Sequence, residues 1–225
     1  GEGSSCGKDL SSETIGTLGD QKRTNYALRE NMTKDEFIRE VLNGLLDPPK
    51  YFPDNVMLNK EGYSESDEII NRSFNSLTAN EVNNMLKEKL IILDVRSVED
   101  FSSSHIPGSI FIGLDGRFAP WVGEILEDVS KKLILVAPEG REKEAIIRLS
   151  RVGFDNVIGY LSGGFHNWEK SGESKETIDS ITAQNLEKMI NGDMSIVDVR
   201  TCGERKNGFL KNSVDMSLDK IESEY

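Results

Sequence analysis

The chain writes one strand-and-turn unit twice. Residues Ser76–Asp115 slide onto Ser180–Asp219 without a gap, every matched pair lying 104 residues apart. Thr78 and Ala79 meet Thr182 and Ala183, and Met85 meets Met189. Asp94-Val95-Arg96 meets Asp198-Val199-Arg200, and Leu114-Asp115 meets Leu218-Asp219. So long a register is hard to obtain by chance, and a spacing of about 100 residues is a domain length rather than a solenoid period. Two tandem copies of one module are therefore expected, preceded by an N-terminal extra.

The first copy alternates apolar runs with amphipathic stretches. Thr78-Ala79-Asn80-Glu81 has capping-box spacing ahead of a short helix carrying Val82, Met85 and Leu86. Leu90–Leu93, Ser109–Ile112, Lys132–Ala137 and Asn156–Tyr160 read as strands, and Lys132–Ala137 is the most hydrophobic. Between them fall helical patterns at 119–130, around Ala145–Leu149, and at Phe165–Lys170 with Trp168. Continuous apolar strands alternating with helices predict an α/β fold, a mainly parallel sheet with helices on both faces. The second copy runs from Ser180 to Tyr225, just past the equivalent of the first copy's second strand, and lacks a counterpart of the central strand. Such a half-module leaves an open edge. It is expected to be completed by residues outside this sequence, to pair with another chain, or to stay partly disordered.

Upstream, residues 1–30 are rich in Gly, Ser and Thr with little apolar periodicity. Thr33-Lys34-Asp35-Glu36 has capping-box spacing, followed by Phe37, Ile38, Val41, Leu42 and Leu45 at helical intervals until Pro48-Pro49. This helix has a wide apolar face and no local partner. Residues 50–75 read as an irregular connection. The boundaries are thus placed at 1–75 for the extra segment and linker, 76–172 for the complete module, and 173–225 for the half-module. The 76–172 module is the expected stable unit, with mobile or self-associating ends and a homo-oligomer as one outcome.

A net charge of −12 and a pI near 4.8 argue against nucleic acid or an anionic membrane surface as partner. No apolar run approaches the roughly 20 residues that span a bilayer, and the N-terminus lacks a signal-peptide pattern. Two cysteines, Cys6 and Cys202, make no disulfide framework, so a cytoplasmic location is expected. The chain begins with Gly1 rather than Met, as a cleavage product, a chosen boundary or an incomplete sequence would.

Residues 76–170 resemble the rhodanese (sulfurtransferase) family. The resemblance rests on Asp94-Val95-Arg96, on Glu99 and Phe101 ahead of His105-Ile106-Pro107-Gly108-Ser109-Ile110, on the strand and turn at 132–140, and on Gly163-Gly164 before Trp168. The residue-level reading of these positions is structural: Asp94 pairs with Arg96, His105 packs the turn, and Trp168 is core, with Asp198 and Arg200 as second-copy equivalents. In active rhodaneses the third strand delivers a cysteine to a six-residue loop whose N–H groups and following helix stabilise the thiolate. The equivalent loop here is Ala137-Pro138-Glu139-Gly140-Arg141-Glu142. It has no nucleophile, Pro138 removes a donor, and Glu139 and Glu142 oppose an anion, so no catalytic residue is expected in it.

The N-terminal stretch is similar to the C-terminal tail of metallo-β-lactamase-fold persulfide dioxygenases, in Gly1–Lys8, Thr17–Leu28 and Pro48–Phe52. That resemblance implies a fusion whose upstream domain holds non-haem iron and oxidises a persulfide, with sulfur transfer at a rhodanese module. This chain would hold no cofactor, since its only histidines are His105 and His166, both inside the module. The helix after Thr33 would pack on the absent hydrolase-like domain, or on a second chain. Two rivals stand beside this reading: a stand-alone module binding a partner or small anion through Arg141, and an active sulfurtransferase using Cys202.

Overall fold

The computed structural model describes residues 15–29, 31–42, 51–62, 66–88, 90–190, 194–218 and 221. Cys6, Leu45, Pro48-Pro49 and the quoted Gly1–Lys8 stretch lie outside them. The chain divides into two compact units, Gly1–Pro48 and Pro49–Tyr225.

In the first unit, α1 (Leu18–Thr24) starts at Thr17, whose hydroxyl accepts from the Asp20 N–H at 3.1 Å. A 3₁₀ turn, Tyr26–Leu28, leads toward α2 (Lys34–Leu42). The anticipated capping box closes: Thr33 N–H donates to the Glu36 carboxylate at 2.8 Å, and Glu36 N–H donates to Thr33 Oγ1 at 3.3 Å. Phe37, Ile38 and Leu42 are exposed on α2.

The second unit departs from expectation at its start. In place of an irregular connection, the chain forms α3 (Phe52–Glu61), α4 (Ser66–Ser73) and β1 (Ser76–Leu77). Pro53 opens α3, where its missing N–H costs nothing. Asp67 and Glu68 at the start of α4 and Arg72 at its end suit the helix dipole. Tyr51 and Ile69 are buried members of the module's core, so packing against it begins before residue 76.

The module continues as α5 (Ala79–Met85), β2 (Ile91–Asp94), α6 (Val98–Ser103), β3 (Ile110–Phe111), α7 (Phe118–Leu126), β4 (Leu133–Val136), α8 (Glu142–Ser150), β5 (Val157–Leu161) and α9 (Gly164–Ser171). Its five strands are all parallel, in the order β1-β5-β4-β2-β3. All four residues of β4 are buried, and their alternation divides the core. Leu133 and Leu135 join Leu93, Val122, Ile146 and Phe154 on one face, while Ile134 and Val136 join Val82, Ile106, Phe165 and Trp168 on the other. Each such apolar side chain contributes about 1.5–3 kcal/mol by leaving water. Gly159 in β5 lets the Asn75 carbonyl approach, because a Cβ there would collide with that oxygen.

The second copy consists of α10 (Ala183–Met189), β6 (Val197–Asp198), α11 (Cys202–Arg205) and β7 (Val214–Asp215). It repeats the first in hydrogen bonds as well as in sequence. Leu93 and Asp94 face Ile110 and Phe111; Val197 and Asp198 face Val214 and Asp215. Ile112 N–H donates to the Asp94 carbonyl, and Met216 N–H to that of Asp198, at 3.0 and 3.1 Å. β6 and β7 form a two-stranded sheet of their own.

Candidate functional site

β4 ends at Val136 and delivers buried Ala137 to the loop that precedes α8. Arg141 N–H donates to the Pro138 carbonyl at 3.0 Å, closing a tight turn through Gly140, whose φ of +84° suits glycine. Gly140 N–H donates to Glu142 Oε1 at 3.2 Å. The Glu142 side chain belongs to the first residue of α8 and is 9% exposed, so a carboxylate of the chain itself occupies a donor of this loop.

Arg141 turns away from the loop. Its guanidinium donates to both Asp115 oxygens at 2.9 and 3.1 Å, and to both Glu144 oxygens at 2.8 and 2.9 Å. These charge-assisted bonds hold the Asp115 and Glu144 carboxyls below the usual carboxylate range and raise Arg141 further. Arg148, over the Phe118 ring, donates to the Leu114 and Gly116 carbonyls and lies 3.6 Å from Glu144. Sequence reading passed over Asp115, Glu144 and Arg148. The spacing of Arg141 to Glu144 and of Glu144 to Arg148 was the available signal, since residues three and four apart share a helix face.

Asp94 and Arg96 meet at the end of β2, both buried, with Arg96 Nη2 donating to Asp94 Oδ2 and to the Ser104 carbonyl, each at 2.7 Å. The same guanidinium lies 4.2 Å over the Phe165 ring. His105 stacks on Phe101 at 4.0 Å, and its Nδ1 donates to the Phe101 carbonyl at 2.9 Å. His105 also exchanges backbone bonds with Glu176 at 2.9 and 3.0 Å, which pins the segment after α9. Trp168 is fully buried, with Nε1 donating to the Ser174 carbonyl at 2.9 Å.

The second copy rebuilds the same clip on exposed ground. Arg200 donates to Asp198 at 2.8 and 2.9 Å and to the Gly208 carbonyl at 2.9 Å, the counterpart of Ser104. Those bonds hold the Asp198 carboxyl well below its ordinary range. Arg205 takes the place of Phe101 and lies 4.6 Å over Phe209, which takes that of His105. Cys202 is exposed at the start of α11.

As chemistry, the loop has no nucleophile at its first position, one donor removed at Pro138 and another held by Glu142. Its cation is tied to two carboxylates. Among the described residues, no group of three or more His, Cys, Asp and Glu side chains is placed to hold a metal ion. No helix among them is long and apolar enough to cross a membrane.

Comparison with known proteins agrees with this architecture. The family model for the rhodanese-like domain matches residues 78–171. The "Putative sulfur carrier protein YrkF" of Bacillus subtilis (strain 168) is 34% identical over 77 residues, which are 34% of this chain and 40% of that protein. The chain thus spans well under half the length of this curated relative. A metallo-beta-lactamase structure from Staphylococcus aureus subsp. aureus COL is 25% identical with a TM-score of 0.50, covering 65% of this chain and 40% of that one. The Alr3790 protein from Anabaena sp. is 20% identical with a TM-score of 0.42, covering 51% of this chain and all of that one. Residues 78–171 thus match the rhodanese-like domain, and the parallel sheet flanked by helices is a fold of the kind such domains have.

Proposed function

We propose that this chain is a non-catalytic rhodanese-like portion of a cytoplasmic fusion protein that handles sulfide or persulfide and includes a metallo-β-lactamase-fold domain. Residues 1–75 comprise the tail of that domain and a connection, residues 76–172 are the rhodanese-like module, and residues 173–225 begin a second one. Two likenesses support the parentage: the name of the Bacillus relative refers to sulfur carriage, and the Staphylococcus structure covers more of the chain than the module alone. In this reading the parent's iron is held by the upstream domain rather than by residues of the rhodanese-like module, whose histidines are His105 and His166.

The observation that carries the non-catalytic reading is the Glu142 carboxylate on the Gly140 N–H, beside Ala137 where the family places its cysteine. A thiolate or persulfide at that point would compete with a charge already present. The rival anion-binding reading loses its cation, because Arg141 is bound to Asp115 and Glu144.

The test is a thiosulfate:cyanide sulfurtransferase assay on the purified chain. Thiocyanate formation should stay at background, and Ala137→Cys alone should add little. Adding Glu142→Ala and Pro138→Arg to Ala137→Cys should raise the rate above the single variant. Activity in the unmodified chain that disappears in Cys202→Ser would overturn the proposal.

A further inference from the structure

The segment that joins the two copies, residues 172–180, is polar apart from Ile178, a composition that reads as a flexible linker. The structure instead ties it down along its length. Gly172 ends α9 with a φ of +77° and turns the chain back across the module. Asn83 Nδ2 on α5 then donates to the Glu173 carboxylate at 2.8 Å, and Trp168 Nε1 on α9 to the Ser174 carbonyl at 2.9 Å. Lys175 Nζ donates to the Glu169 carboxylate at 2.7 Å. Glu176 and His105 exchange both backbone bonds as an antiparallel pair, and Ile178 N–H continues the pairing by donating to the Ser102 carbonyl at 2.9 Å. The stretch that receives these bonds is itself fixed, since the Ser104 carbonyl within it accepts from buried Arg96. Only Asp179 separates the last bond from Ser180, where the register of the second copy begins. The copies also face each other directly. Glu204 on α11 has its carboxyl held low first by its bonds to Thr201, and further by Arg200 and by Arg117 ahead of α7.

We infer that residues 173–178 are a rigid strap by which the first module fixes the starting point of the second copy, so that the two tumble as one body. The anchorage draws on α5, α6 and α9 together, and no single bond carries it. A free polar linker of this length would let the second copy swing on the nanosecond scale, whereas paired backbone donors remove that freedom. Such a task asks for a folded module but for no cysteine. It gives a use to a module whose loop holds Ala137 in the nucleophile's place. The strap depends on these contacts and not on the sulfur chemistry of the parent, so the sulfurtransferase assay leaves it untouched.

Backbone amide NMR relaxation of the full chain tests it. Glu176 and Ile178 should show order parameters of about 0.85, as in Leu133–Val136, whereas a flexible linker falls below about 0.6. Val197 and Val214 in the second copy should report the same rotational correlation time as β4. The variant Glu176→Pro with Ile178→Pro removes two donors at exposed positions. Unchanged amide shifts in Leu133–Val136 check that its module stays folded. In this variant the second copy should tumble faster than β4. The His105 N–H, which donates to the Glu176 carbonyl, should exchange with solvent at least about tenfold faster than in the unmodified chain. Order parameters below about 0.6 at Glu176 and Ile178 in the unmodified chain overturn the inference. So does a second copy that already tumbles faster than β4 there, or one whose tumbling the double variant leaves unchanged.

Discussion

Gly123 offers a sharp test of where the folded module begins. It lies in α7, and a methyl group added to it would overlap Cγ, Cδ1 and Cε1 of the Tyr51 ring. Two effects then compete in Gly123→Ala. Alanine favours a helix interior by about 1 kcal/mol over glycine. Overpacking against a seated ring costs about 1–3 kcal/mol. The net expectation is destabilisation by up to about 2 kcal/mol, a large share of a domain's total stability. In a Tyr51→Ala background the obstruction is gone, and the same substitution should instead stabilise by up to about 1 kcal/mol. Urea unfolding of the full chain measures both, with Trp121 on α7 as a nearby fluorophore and Trp168 as a reporter on the other sheet face. The coupling in this double-mutant cycle equals the overpacking cost. If Gly123→Ala stabilises both backgrounds equally, Tyr51 does not seat on α7 and the module's packing does not reach back to residue 51.

The buried Asp94–Arg96 pair gives a second expectation. Asp94→Ala strands a guanidinium away from water and should cost about 3–5 kcal/mol, whereas Asp198→Ala, which frees a half-exposed Arg200 and leaves Arg205 its second partner Asp215, should cost clearly less. Equal shifts in urea midpoint would refute the distinction. The depressed Asp198 carboxyl makes a third prediction. Its contribution to stability is present above its unfolded value near 3.8 and is lost as pH falls through the lower folded value. A carboxyl NMR titration should therefore find an Asp198 midpoint below 3.8, and Arg200→Ala should return it toward 3.8.

The strands were legible because an apolar run such as Lys132–Ala137 admits few alternatives to burial on both faces. The capping boxes at Thr33 and Thr78 were legible because their chemistry is local. What escaped detection depends on distant partners. The helix Ser66–Ser73 contributes one fully apolar anchor, Ile69, within a polar run, and only its packing on the core reveals its face. β1 is two residues long, too short for any periodicity, and exists because Gly159 leaves room beside it. Of the loop, the absence of a cysteine could be read directly. The capture of Gly140 by Glu142 and of Arg141 by Asp115 could not, since Asp115 reaches the loop only through the fold.

The order of strands in the sheet also bears on how the chain acquires it. β2 and β3 close over the short span from Leu93 to Ile110, bridged by α6, and the Asp94–Arg96 clip lies entirely within it. β1 pairs only with β5, joining Leu77 to Leu161 across nearly the whole module. Loop closure grows costlier with span, so the short crossover can form early while Ser76–Leu77 waits for the rest of the sheet. On a ribosome, β1 emerges first and docks last. Until Val157–Leu161 has been synthesised, it is a strand without a place.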